Sequence, residues 1–163
     1  MGTIVVGLDG SAGSDTALRW ALAEARLRGA RLSVIHAYQV PPLTVGDLGT
    51  AAGAPAAAFS TEELDRLRSA VKSDAHDVVE AALRRAGDDA LAGLEVERQA
   101  LEGPAVQVLI ESARDAELLV LVSRGRGGFL GLLLGSVSQQ CAQHPPCPVV
   151  ILPPPSESDT AGS

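Results

Sequence analysis

The run Leu118-Leu119-Val120-Leu121-Val122 sets the tightest limit on how this chain can fold. A strand with one wet face alternates apolar and polar residues. Five apolar residues in succession need cover on both faces, as in the centre of a parallel sheet with helices above and below. Four other β-rich runs share the chain: Thr3–Asp9, Leu32–Tyr38, Leu94–Leu101 and Val149–Leu152. Between them the spacing turns helical. Ala17, Leu18, Ala21, Leu22, Ala25 and Leu27 mark one helix closed by Gly29, with Ser11, Ser14 and Asp15 offering N-cap chemistry. Leu64, Leu67, Val71, Val78, Val79 and Leu83 mark the buried stripe of a second, started by Ser60 or Thr61 and ended near Gly87. Gly103-Pro104 opens a third, and a fourth lies near Ser136–Ala142. Strands and helices in alternation predict an α/β fold: one doubly wound, five-stranded parallel sheet, order 3-2-1-4-5, with helices on both faces. The domain spans 1–153. Residues 154–163 are rich in Pro, Ser and acid and predict a disordered tail. Residues 39–60, rich in Pro, Gly and Ala, predict a mobile excursion.

Composition excludes several functions. Aromatics are 2% of 163 residues, too few for the stacking platforms of a single-strand binder. The net charge of −7 lacks the basic footprint of a nucleic-acid partner. No 18-residue apolar run is present, and Met1–Val6 has no basic n-region followed by an apolar segment. Gly2 is followed by Val6 where a myristoylation motif has Ser or Thr. The expectation is a cytoplasmic protein with no membrane or nucleic-acid partner. Cys141 and Cys147, six positions apart, form neither a CxxC pair nor a zinc set and read as free thiols.

Ligands of open α/β sheets bind beyond the C-terminal ends of strands where the strand order reverses, here strands 1 and 4. Strand 1 ends in Gly7-Leu8-Asp9-Gly10-Ser11, and strand 4 runs into Ser123-Arg124-Gly125-Arg126-Gly127-Gly128. Gly125, Gly127 and Gly128 can take positive φ and let backbone N–H groups converge on an anion, and Gly135-Ser136 opens the next helix, whose N-terminus favours phosphate. Arg124 and Arg126 add positive charge to an acidic chain. No GxxxxGK[ST] loop is present, GxGxxG fails at Leu130, and GxSxG fails at Asp9. His36, His76 and His144 lie far apart, and His36, within a strand, reads as packed or hydrogen-bonded.

Taken together, Ile4–Ser11 with Ala17–Ala21, Val34–Ala37, Gly103–Ala105, Ser123–Ser138 and Cys147–Val150 resemble the universal stress protein family across residues 3–152. Its nucleotide-binding branch carries G-x2-G-x9-G-[ST]. The resemblance implies that Gly125, Gly135 and Ser136 hold phosphates and ribose, with Arg126 and Gly127 in the same loop. It implies that Val137 and Ser138 continue the phosphate-facing helix start. Gly7, Leu8 and Asp9 line the strand-1 side, Asp9 meeting ribose or a metal, and Ala37 meets adenine through its backbone. Val122 stands where the first glycine of the signature is expected, and its isopropyl group threatens the ribose position.

Three functions compete. The first is a stress-response sensor or regulatory module binding adenine nucleotide, with ATP, alone or with Mg, as cofactor and cyclic AMP as the alternative ligand. The second is an interaction module of the same fold, its signature weakened by Val122. The third is a slow ATPase or ligase relative, set aside because no base, nucleophile or complete metal set can be named. A homodimer is expected through Val149–Leu152, an apolar edge strand of the kind that pairs with a second chain.

Overall fold

The computed structural model describes residues 1–41, 60–125 and 133–155. Most of the 39–60 excursion, nearly all of the tail, and Arg126, Gly127 and Gly128 therefore lie outside the described residues. The elements run β1 (Thr3–Leu8), α1 (Ala12–Arg28), β2 (Arg31–Tyr38), α2 (Thr61–Ala86), α3 (Asp88–Leu91), β3 (Val96–Glu102), α4 (Ala105–Ser112), β4 (Leu118–Val122), α5 (Ser136–Gln143) and β5 (Val149–Leu152). All pairings are parallel, and the order β3-β2-β1-β4-β5 is the predicted one.

The all-apolar β4 is buried at every position, because the two sheet faces carry separate cores. On one face Ile4, Val6, Leu32, Val34 and Val120 pack with Leu18, Leu22, Val79 and Leu83 of α1 and α2. On the other, Val5, Ile35, Leu119 and Leu121 pack with Val108 and Leu109 of α4 and Cys141 of α5. The period of two along each strand thus sorts alternate residues into different cores.

The helices bear out Ser11 as a cap and correct other readings. Ser11 is the N-cap of α1, its Oγ accepting from the Ser14 N–H at 3.2 Å. Ser14 and Asp15 lie in the first turn instead. The Ser14 hydroxyl donates back to the Ser11 carbonyl, and Asp15 takes two hydrogen bonds from Arg85 of α2 at 2.7 and 3.0 Å. Leu27 of α1 is 80% exposed, because two positions past Ala25 it lies about 200° around the helix from the buried face. Leu67 of α2, expected in the buried stripe, is 39% exposed. A helix of 26 residues is about 39 Å long, while a strand of eight spans about 26 Å, so α2 outruns the sheet. A further correction is α3, which no periodicity announced. Arg26 secures it by donating to the carbonyls of Asp89, Ala90 and Ala92.

Candidate functional site

β1 lies between β2 and β4, so the chain turns to opposite faces on leaving the C-terminal ends of β1 and β4. A cavity of about 460 Å³ opens there, within the range of small-molecule sites. Its floor is apolar. Ile35 and Ala37 come from β2, Leu109 from α4 and Leu121 from β4. Gly7 makes this floor possible: a Cβ there would stand 2.9 Å from Leu121 Cδ2 and 3.0 Å from Leu109 Cδ2. The two leucines occupy the space that a side chain at position 7 would need.

The rim is polar. Gly10, with φ at 81°, turns the chain sharply after β1. That turn leaves Asp9 at the mouth of the cavity. Asp9 Oδ1 accepts from the Ser11 N–H at 2.9 Å and the Ser11 hydroxyl at 2.5 Å. Asp9 Oδ2 lies against Gly125, where a Cβ would collide with it. Gly125 is not among the left-handed glycines, so its role is steric. Gly135 likewise has an ordinary φ of −75°. Its missing Cβ would stand 3.3 Å from the Ser123 carbonyl oxygen and 3.8 Å from the Gly125 nitrogen. The glycines of this signature thus permit backbone to approach backbone and carboxylate; the expectation that Gly125 takes positive φ is corrected.

α5 begins at Ser136, and among the described residues no side chain caps its first turn. Its leading N–H groups carry the positive end of the helix dipole. Ser136, Val137 and Ser138 all line the cavity, as does Arg124. The Ser138 hydroxyl is committed elsewhere, donating to the carbonyls of Ser123 at 2.7 Å and Gly135 at 3.1 Å, so that side chain braces the helix start. Val122 belongs to the cavity wall, but its side chain is counted in the core on the α1 face.

Of the residues expected at the site, Gly7, Leu8, Asp9, Ala37, Val122, Gly125, Gly135, Ser136, Val137 and Ser138 come together around this cavity. Arg126 and Gly127 fall outside the described residues. Ile35, Leu109 and Leu121 read as plain core in the sequence. Their signal was face parity: they sit on the side of the sheet that α4 and α5 cover. His36 also lines the cavity, its Nδ1–H donating to the Leu8 carbonyl at 2.8 Å, as its strand position suggested. Among the described residues no helix is long and apolar enough to cross a membrane.

Comparison with known proteins follows the same lines. The family model "Universal stress protein family" matches residues 1–153. A universal stress protein of Mycobacterium tuberculosis is 33% identical over 162 residues, covering 92% of this chain and 47% of that protein. The chain thus spans about half the length of its mycobacterial relatives. A universal stress protein of Thermus aquaticus is 33% identical over 153 residues, covering 92% of this chain and 97% of its own. A solved universal stress protein in complex with cAMP superposes with a TM-score of 0.63 at 26% identity, covering 93% of this chain and 96% of that one. Sheet order, glycine spacing and sequence match agree from one end of the domain to the other, and the chain belongs to the universal stress protein family.

Proposed function

We propose that this chain binds an adenine nucleotide and serves as a dimeric sensor or regulatory module rather than an enzyme. The observation that carries this reading is the uncapped start of α5 opening, beside Arg124, onto an apolar cavity at the switch point. A flat base fits between Ile35, Ala37, Leu109 and Leu121, and a phosphate fits at the helix N-terminus. The cAMP complex of a relative at 26% identity supports the same ligand class.

Charge bears on which nucleotide. The described lining holds one cation, Arg124, and one carboxylate, Asp9. A singly charged phosphodiester is matched by Arg124 and the helix dipole. A triphosphate brings more charge and is helped by a divalent ion. Magnesium is commonly held by one or two carboxylates plus substrate phosphates, and Asp9 fits the role of that carboxylate. ATP with Mg remains part of the proposal, with cyclic AMP as the ligand needing least compensation.

Isothermal titration with cAMP, ATP and Mg–ATP tests it. Micromolar binding is expected, with ATP strengthened by Mg. Arg124→Ala is expected to weaken binding about tenfold, since a charge-assisted hydrogen bond contributes about 1.5–3 kcal/mol. No heat at high-micromolar ligand with folded protein overturns the reading.

The dimer is proposed through β5, whose residues are all partly exposed and which pairs with β4 along one edge. A cytoplasmic location is proposed with it.

A further inference from the structure

Val122 stands where the signature's first glycine is expected, yet its side chain does not point toward the ligand floor. Along β4, Leu119 and Leu121 belong to the core on the cavity face, while Leu118, Val120 and Val122 belong to the core under α1. Val122 is 8% exposed. Its isopropyl group lies over Gly13 in the first turn of α1, where a Cβ would stand 2.7 Å from Val122 Cγ2. That is closer than real Cβ atoms come to a neighbour. The next atoms around the hollow are the Arg124 carbonyl oxygen at 3.6 Å and Ser11 Oγ at 3.7 Å. Glycine is a poor helix former, so its place inside α1 calls for a packing reason, and the valine supplies one.

The segment beginning at Val122 is therefore gripped on both sides. Toward the cavity, the Ser123 carbonyl accepts from the Gly135 N–H at 2.5 Å and from the Ser138 hydroxyl at 2.7 Å. Toward α1, the Val122 side chain seats against Gly13. Ser11, which caps α1, also holds the Asp9 carboxylate, and that carboxylate rests on Gly125. One short bar of chain thus links the Asp9–Ser11 turn to the N-terminus of α5.

We propose that Val122 is a positioning residue for the site and that Val122 and Gly13 are a matched pair. The valine, seated in the hollow of the glycine, sets the spacing between the Asp9–Ser11 turn and the start of α5. Valine at the signature position is accommodated by glycine in the opposing helix and leaves the ligand floor open. The effect on ligand rests on the nucleotide reading above; the packing of the pair does not.

Thermal melts and cAMP titrations on the parent, Gly13→Ala, Val122→Ala and the double variant test it, with Val122→Gly alongside. Gly13→Ala adds a methyl where Val122 already sits. It is expected to lower Tm by several degrees and to weaken cAMP about tenfold by shifting Ser11 and Asp9. Adding Val122→Ala is expected to recover most of both losses, a clear departure from additivity. Val122→Gly is expected to lower Tm without tightening cAMP. If Gly13→Ala fails to fold, recovery of folded protein in the double variant supports the pair. Additive losses, or a Gly13→Ala protein as stable as the parent, overturn it. Val122→Gly binding cAMP tenfold more tightly also overturns it, since the valine then obstructs the ligand. If the parent binds neither cAMP nor ATP, the nucleotide reading fails, while the melting cycle still decides whether the two residues are coupled.

Discussion

Gly125 owes its identity to a carboxylate. The Asp9 side chain fills the place of its Cβ, so Gly125→Ala must push Asp9 aside. The displaced carboxylate gives up its hydrogen bonds from the Ser11 N–H and hydroxyl, each worth about 1 kcal/mol. The expected result is cAMP affinity reduced about tenfold, with folded far-UV circular dichroism; unchanged affinity by titration counts against a role for the Asp9 turn. The cysteines give a second prediction. Burial pushes both thiols above the usual cysteine range, for Cys147 against a lowering backbone hydrogen bond from Leu119. Both therefore stay protonated and poorly nucleophilic near neutral pH. Cys141, fully buried, is expected to react with a thiol reagent only on unfolding, while the half-buried Cys147 reacts slowly in the native protein and faster as pH rises. Fast labelling of both at pH 7 contradicts this. At this scale the sequence disclosed which residues gather, because glycine spacing is visible in one dimension. It did not disclose what each glycine faces. Contact of Gly125 with Asp9, of Gly7 with Leu121, and of Gly13 with Val122 depends on chain brought from distant positions.

Strand bounds were the most legible elements. β4 and β5 begin and end at the residues where their apolar runs begin and end, since neither run has flanking residues that could extend it. β3 was displaced by one or two residues, because its alternation is imperfect and it lies at an edge, with Glu97 and Arg98 exposed. α3 was invisible because four residues hold too little pattern to show a period. α2 shows a different limit. Its apolar stripe is continuous, but the sheet beneath it stops. The residues from Thr61 to Asp74 are exposed apart from the half-buried Leu64 and Val71. A capping box starts this half: the Ser60 hydroxyl accepts from the Glu63 N–H, and the Glu63 carboxylate accepts from the Ser60 N–H at 2.7 Å. Losing such a cap costs about 1 kcal/mol. Because few tertiary contacts hold this half, Ser60→Ala is expected to be felt locally. Hydrogen exchange over residues 61–74 should accelerate severalfold while Tm barely moves. A global drop in Tm would mean that this half is part of the cooperative core. Arg85 in the last turn behaves otherwise. Asp15 holds its guanidinium charge more firmly, mainly by hydrogen bonding, and the pair ties α2 to the first turn of α1.

At the scale of the molecule, the described sheet ends in two edges of different character. β3 carries charge along its length, a common defence against pairing, while β5 is Val-Val-Ile-Leu. If β5 is the dimer edge, Ile151→Lys is expected to convert a dimer to a monomer in sedimentation velocity at micromolar concentration, with cAMP binding retained. A parent that sediments as a monomer removes the premise. Sheet order itself was legible because alternating β and α elements admit few right-handed arrangements. The same order has a consequence in time. Strand β1 leaves a ribosome first and sits in the middle of the finished sheet, while the strand beside it, β4, comes more than a hundred residues later. The Asp9 turn therefore waits through the synthesis of β2, β3 and β4 for Gly125 and the start of α5. A partly made chain offers a ligand half a site at most. On the nucleotide reading, ligand present in the cell would stabilise only chains translated past β5, by mass action on the completed fold.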